Sequence, residues 1–315
     1  MSLVKYVAKR LLQAIPTLIG VVLFMFILIR MLPGDPARLI AGIEATEEDV
    51  QRIRELLGLD RPLYVQFVDY MRDVFTGDLG TSIRFGTPVI DEIMERLPYT
   101  IQLALVSETL AVLLGVPLGI MAALRPYSAR GYLATVFALI GSSMPIYWMG
   151  LMFIYLFSVR LNLLPSSGAD SPSSIILPAL TLSLLLMGNL MRITKASFQE
   201  VLGENYITTV RAKGLGERIV VYRHALKNAA VPIITIMGIQ LGTLLGGAIL
   251  TETVFAWPGL GTLLIDAISY RDYPLIQGIV IVFATMFVMI NIIVDVVYAI
   301  IDPRVREQLW AAEEE

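Results

Sequence analysis

The chain is 315 residues long, 56% hydrophobic and only 16% charged, with a mean hydropathy of +0.73, which excludes an ordinary water-soluble globular protein. The absence of cysteine excludes disulfides, thiolate-bound metals and cysteine nucleophiles, and a single histidine, His224, leaves no cluster for zinc or a catalytic triad. The net charge of −3 says less than where the charges fall.

A hydrocarbon core about 30 Å thick needs roughly 20 apolar residues per helical span. Six stretches meet that length: Leu11–Met31, Ile101–Leu124, Leu133–Val159, Ile175–Met191, Ala229–Leu250 and Ile276–Ile301. The predicted fold class is all-α, a polytopic membrane protein with six transmembrane helices. The first stretch, with its preceding residues, forms a segment 1–32; it is too long for a signal-peptide core, and Leu32-Pro33-Gly34-Asp35-Pro36 offers no cleavage site, so the span is retained.

Residues 33–98 read as a small helical cap outside the membrane. Thr46-Glu47-Glu48-Asp49 has the form of a helix N-cap with acids in the first turn, and Val50, Ile53, Leu56 and Leu57 follow at helical spacing until Gly58. A second helix is expected to start at Asp60-Arg61-Pro62, carry an apolar stripe of Leu63, Phe67, Tyr70, Met71 and Val74, and stop near Gly77. Residues 99–302 hold the remaining five spans, with a cytoplasmic loop at 197–228 and an external loop at 251–275; 303–315 is a tail ending in the solvated acids Glu313-Glu314-Glu315.

Basic residues set the orientation. Lys5, Lys9 and Arg10 precede the first span, Arg125 and Arg130 join the second and third, Lys195, Arg211, Lys213, Arg218, Arg223 and Lys227 join the fourth and fifth, and Arg304 and Arg306 follow the last. All five lysines fall in these segments, which share one side of a six-span topology, so both termini are predicted to be cytoplasmic.

No phosphate-binding Gly-x-x-x-x-Gly-Lys-Ser/Thr loop occurs, so any ATPase belongs to another chain, and no catalytic residue, metal site or cofactor is expected in this one. The place for such a partner is the segment Ser197–Asn228, too polar to span, with Glu204, Tyr206, Arg211, Ala212, Lys213, Gly214 and Leu215 as candidate coupling residues; a solvated loop is the plain alternative. In the fifth span Gly238, Gly242 and Gly246 share one helix face and form a packing seam toward another helix of this chain or of a second subunit. Pro117, Pro145, Pro178 and Pro232 lie in or beside spans, where a missing amide donor kinks a helix.

Glu108, with Ser107 beside it, is an ionisable group at membrane depth, open to two readings: lining of an aqueous pathway or a structural ion pair. Asn189 and Gln240 are further candidate pathway residues, whereas Asp295 reads as half of a structural pair and Arg192 as a snorkelling side chain.

Five strings in order resemble the first permease subunit of dipeptide, oligopeptide, glutathione and nickel ABC importers. They are Leu32-Pro33-Gly34-Asp35-Pro36; Leu57-Gly58-Leu59-Asp60 with Gly77-Asp78-Leu79-Gly80; Arg211-Ala212-Lys213-Gly214-Leu215; Trp257-Pro258-Gly259-Leu260-Gly261; and Arg271-Asp272-Tyr273-Pro274. The resemblance implies an inner-membrane heterodimer with a homologous second permease, two cytoplasmic ATPases carrying ATP and Mg, and an extracytoplasmic solute-binding protein, with lipid around it and no nucleic acid. It also implies that the loop with Gly214 carries the coupling helix. The general importer signature begins Glu-Ala-Ala; here Thr208-Thr209-Val210 stands instead, and the expected proline is displaced to Pro232. The outer loop Arg160–Ser174 is shorter than in some dipeptide-importing relatives, and the stretch Leu32–Gly42 and the short Ser167-Gly168-Ala169-Asp170 loop resemble glutathione-type members most. Two other classes compete: a stand-alone secondary transporter or channel using Glu108, disfavoured by the lack of an inverted repeat and by the large basic loop, and an intramembrane enzyme, disfavoured by the lack of a Ser/His or paired-Asp constellation within the spans.

Overall fold

The structure, a computed structural model, describes residues 3–31, 36–41, 45–56 and 58–301. In chain order the helices are α1 (Leu3–Met31), α2 (Pro36–Ala41), α3 (Glu47–Leu56), α4 (Leu63–Thr76), α5 (Val89–Leu124), α6 (Ala129–Ser143) and α7 (Ile146–Phe153). There follow α8 (Ile176–Leu202), α9 (Asn205–Ala212), α10 (Glu217–Ile219), α11 (Leu226–Gly247), α12 (Ile249–Val254), α13 (Leu260–Ser269) and α14 (Tyr273–Ile301), with π-helical turns at Ile154–Arg160 and Val220–Ala225. Among the described residues no strand occurs beyond one isolated bridge, Thr81 with Pro88. Five helices are long and apolar enough to cross a membrane, or six if the bent pair Ala129–Ser143 and Ile146–Arg160 counts as one span. The chain is thus an all-α polytopic membrane protein, divided into two units.

The unit of Leu11–Leu97 and Leu263–Thr285 holds the predicted cap. Thr46 caps α3: its hydroxyl accepts from the Asp49 amide at 3.3 Å, and the Asp49 carboxylate accepts in return from the Thr46 amide and hydroxyl at 3.2 and 2.6 Å. α4 begins after Pro62 and ends at Gly77, whose φ of +83° is the left-handed conformation that glycine adopts cheaply. Its stripe meets α1, where Phe26 packs edge-on to Phe67 and stacks on Tyr70 at ring-centroid distances of 5.2 and 6.1 Å.

The same unit gives two of the sequence strings a physical reason. In Gly77-Asp78-Leu79-Gly80, the Asp78 carboxylate accepts from the Gly80 amide at 2.9 Å and fixes the turn into the Thr81–Pro88 loop. In Arg271-Asp272-Tyr273-Pro274, fully buried Asp272 caps α14 by accepting from the Leu275 amide at 3.3 Å, and it also accepts from the Ser82 hydroxyl and, at 3.1 Å, the Arg84 amide. One carboxylate therefore starts the last span and pins a loop 190 positions earlier.

The other unit comprises Met1–Arg10, Pro98–Thr262 and Met286–Glu315. α8 is its central helix, packed against α6, α7, α11 and α12. Glycines allow these approaches: a Cβ added at Gly119 of α5 would stand 2.8 Å from the Met191 carbonyl oxygen, one at Gly188 of α8 would stand 2.7 Å from that of Ala138, and one at Gly141 of α6 would stand 2.9 Å from that of Leu184. Side chains at those positions would push the helices apart, which is how small residues act at membrane helix contacts.

Several predicted boundaries move. The third span is not one helix: α6 and the segment Ile146–Arg160 are bent by 102° where Pro145 begins the second half. The second span starts at Val89 rather than Ile101, so the boundary drawn at 98/99 falls inside α5, a continuous helix of 36 residues and about 54 Å. The fourth span continues to Leu202, and the loop 197–228 is mostly helical, with non-helical joints at Gly203–Glu204 and Lys213–Gly216. Pro117 and Pro232 lie inside unbroken α5 and α11, and Pro178 sits in the first turn of α8. Leu32–Asp35, Leu57, Arg304, Arg306 and the acidic tail lie outside the described residues.

Candidate coupling surface and pathway residues

The coupling candidates form one surface. After Gly203 the chain turns at Glu204, which has extended backbone (φ −71°, ψ 144°), and enters α9. Ile207 anchors that helix: it is wholly buried in a cluster with Phe198, Val220, Val221, Ala225 and Ala229. With half-buried Val210 packed on the same cluster, this anchor leaves Tyr206, Arg211, Ala212, Lys213, Gly214 and Leu215 exposed. Tyr206 braces the base, its hydroxyl accepting from Asn228 Nδ2 at 2.6 Å and donating to the His224 carbonyl at 3.5 Å.

The turn after α9 is closed by charge and by glycine. Arg211 donates to both carboxylate oxygens of Glu217, at 2.6 and 3.2 Å, which holds the Glu217 carboxyl below its ordinary value. Gly214 sits between them with φ +79°, its amide donating to the Arg211 carbonyl at 2.9 Å. A Cβ there would meet no atom of the described residues within 4 Å, so conformation and not internal crowding selects glycine. Leu215, Ile219 and Tyr222 extend the exposed apolar surface beside the turn.

The packing seam of the fifth span faces α14. A Cβ at Gly242 would come 3.0 Å from the Phe287 ring, and one at Gly238 would overlap Val294, so at these two positions the seam lies within the chain. The surroundings of Gly246 lie outside the described residues. Asp295 of α14 pairs with Arg10 at 3.2 Å, the structural arrangement expected for it.

The pathway candidates divide. Ser107 donates to its own helix at the Leu103 carbonyl, 2.7 Å away, and half-buried Asn189 accepts from Arg192 at 2.6 Å. Gln240 is buried; its amide donates to the Leu186 carbonyl at 2.8 Å, while its side-chain oxygen has no partner among the described residues. Glu108 is 4% exposed, and neither carboxyl oxygen has a hydrogen-bond partner among the described residues. It stands one turn from Ala104 and from Ala111, which pack with Leu182, Leu186 and Leu244 in an apolar cluster. Between Tyr99 and Leu124 of α5, Ile176 and Met191 of α8, and Asn228 and Gly247 of α11, it is the one charged side chain. No cation lies within ion-pair distance of it among the described residues, so the structure offers no structural ion pair.

Sequence reasoning missed Glu252. Wholly buried in α12, it accepts from the Thr100 hydroxyl at 2.8 Å and from the Gly261 and Thr262 amides at 2.7 and 3.2 Å, and so caps α13 from outside that helix. Burial raises its proton affinity above the ordinary carboxylate value, and the three donors act against that. A Cβ on Gly259 or Gly261 would run into this carboxyl group, which accounts for both glycines of Trp257-Pro258-Gly259-Leu260-Gly261. Trp257 completes the corner, donating to the Tyr99 carbonyl at 3.0 Å.

Residues 115–307 match the family described as binding-protein-dependent transport system inner membrane component, and residues 3–104 match the N-terminal region of such membrane components. The chain belongs to this permease family. The dipeptide transport system permease protein DppB of Alkalihalophilus pseudofirmus is 42% identical to the permease over 329 residues, covering 96% of this chain and 99% of the relative. The glutathione transport system permease protein GsiC of Escherichia coli strain K12 is 46% identical over 304 residues, with the same coverage. Among solved structures, the inward-facing MetNI methionine ABC transporter gives a TM-score of 0.57 at 18% identity, covering 68% of the permease and 97% of its own chain. An amino acid ABC transporter gives 0.52 at 15%, covering 65% and 92%; at such identities the likeness concerns the fold. The permease is thus a multi-pass inner-membrane transport component.

Proposed function

We propose that this chain forms half of an alternating-access pathway in an ABC importer for peptides, with dipeptide or glutathione-like solutes as cargo. The other half is a homologous permease; two cytoplasmic ATPases supply ATP and Mg chemistry, and an extracytoplasmic protein delivers the solute. The observation that carries the reading is the exposed α9–Gly214 surface, anchored through Ile207, in a chain 42% identical over nearly its whole length to a dipeptide permease. With no phosphate loop of its own, the chain receives free energy through protein contact, and this surface is suited to be that contact. Both termini are cytoplasmic in this reading, following the lysines. Purification of the tagged chain is expected to recover a second permease and two copies of ATPase in fixed ratio, with ATP-dependent uptake of a peptide in vesicles. Gradient-driven uptake by the chain alone would overturn the reading.

Glu108 is proposed to meet water or cargo in another state of the cycle, since an enclosed carboxyl without partners is costly to keep for packing alone. Glu108→Gln is expected to leave assembly and thermal stability intact, because no ion pair is lost, while changing the uptake rate about tenfold, the size of one lost charged hydrogen bond. Loss of the assembled complex without a specific change in uptake would return Glu108 to a structural role.

A further inference from the structure

A half-open cleft of about 400 Å³ lies within the unit of Leu11–Leu97 and Leu263–Thr285, large enough for a small polar molecule or headgroup. Arg30, at the end of the span Val7–Met31, lines it and is held rigidly. Its Nε and Nη2 donate to Gln66 Oε1 at 3.2 and 2.7 Å, its Nη1 donates to the Phe26 carbonyl at 3.3 Å, and its guanidinium lies 3.3 Å over the Phe26 ring. It is therefore preorganised, unlike a snorkelling arginine, and has no carboxylate within ion-pair distance among the described residues.

Tyr70 lines the same cleft, and its enclosed hydroxyl has no hydrogen-bond partner among the described residues. Burial pushes this phenol above its usual range, so it is a standing donor. A fixed cation without a counter-ion and an unused O–H together ask for an oxyanion. The remaining charges limit which one: Arg61 pairs with Asp69 at 3.3 Å, and Asp73 balances Arg30, so the lining is neutral overall. A dianion is disfavoured by that balance, whereas a ligand with its own cation is matched.

We propose that this cleft binds a zwitterion, its oxyanion held by Arg30 and Tyr70 and its ammonium group turned toward Asp73. The chemistry has two sources, the headgroup of an ammonium-bearing phospholipid or a free peptide. The exposed apolar residues Ile27, Leu28 and Met31 beside Arg30 on a membrane span provide a surface for acyl chains.

The test uses the full-length protein with the subunits that accompany it. Native mass spectrometry measures retention of phosphatidylethanolamine against phosphatidylglycerol, and calorimetry measures binding of dialanine, for wild type, Arg30→Gln, Arg30→Lys and Tyr70→Phe. Preferential phosphatidylethanolamine retention that falls about tenfold in Arg30→Gln and Tyr70→Phe supports the lipid source; the same loss confined to dialanine supports the free peptide. If Arg30→Gln fails to fold, Tyr70→Phe, which removes one oxygen, decides. Equal retention of the two lipids without dialanine binding, or variants that match wild type for both probes, overturns the proposal.

Discussion

Gly214→Trp is expected to leave the membrane helices folded while uptake in reconstituted vesicles falls at least about tenfold, with ATP hydrolysis lost or continuing unlinked to uptake. The glycine has φ +79°, a conformation that costs other residues about 1–3 kcal/mol. Its Cβ direction is empty among the described residues, so the substitution clashes with none of them and its bulk projects toward whatever docks there. Two companions separate conformation from bulk. Asparagine tolerates the left-handed region better than alanine does. If conformation alone matters, Gly214→Asn retains more uptake than Gly214→Ala; if a partner approaches closely, both fail alike. Complex recovery, ATPase rate and uptake measured together decide the matter, and a Gly214→Trp protein normal in all three would remove this turn from coupling.

Glu252→Ala is expected to destabilise strongly the unit that contains it. It strands the Thr100 hydroxyl and the Gly261 and Thr262 amides, each at about 1–3 kcal/mol, and opens a cavity, so a loss of about 3 kcal/mol or more follows. Glu252→Gln should fall between wild type and alanine, because its amide nitrogen faces donors and cannot accept from them. Gly259→Ala destabilises by driving a methyl group into the same carboxyl, so its cost is partly relieved in the Glu252→Ala background. Thermal unfolding of the purified protein tests this cycle; simple additivity of the two changes would show that the glycine is there for another reason.

These cases also show what can be read from a chain of this kind. The cap helices were legible because Thr46, Pro62 and Gly77 act on neighbours a few residues away. The strings around Trp257 and Asp272 could be seen only as strings, because their partners lie far off: Glu252 reaches Thr100 across 152 positions, and Asp272 reaches Ser82 across 190. Pro145 was legible as a kink site, but apolar length carried no direction, so the 102° size of the bend there was not foreseen. Depth and charge at Glu108 are legible along the chain, whereas its enclosure depends on how α5 faces the cluster with α8 and α11. The coupling candidates were picked out by polarity and by resemblance; the structure shows them exposed, and their common anchor Ile207 was not foreseen because its partners Val220, Val221 and Ala225 lie on another element.

The bend in the third span has a consequence for biogenesis. α6 is 15 residues long and so spans about 22 Å, short of the roughly 30 Å hydrocarbon core, and Ile146–Arg160 is no longer. Neither half is a complete insertion unit, and the backbone groups freed between Ser143 and Pro145 cannot be satisfied by lipid. Just before the bend α6 packs closely on α8, where Gly188 admits Ala138 and Ser142 and the Leu184 carbonyl lies against Gly141. That helix is synthesised after the bend. Stable insertion of the two short halves is therefore expected to require the fourth span, so truncation of the chain before Ile176 should leave Ala129–Arg160 poorly inserted.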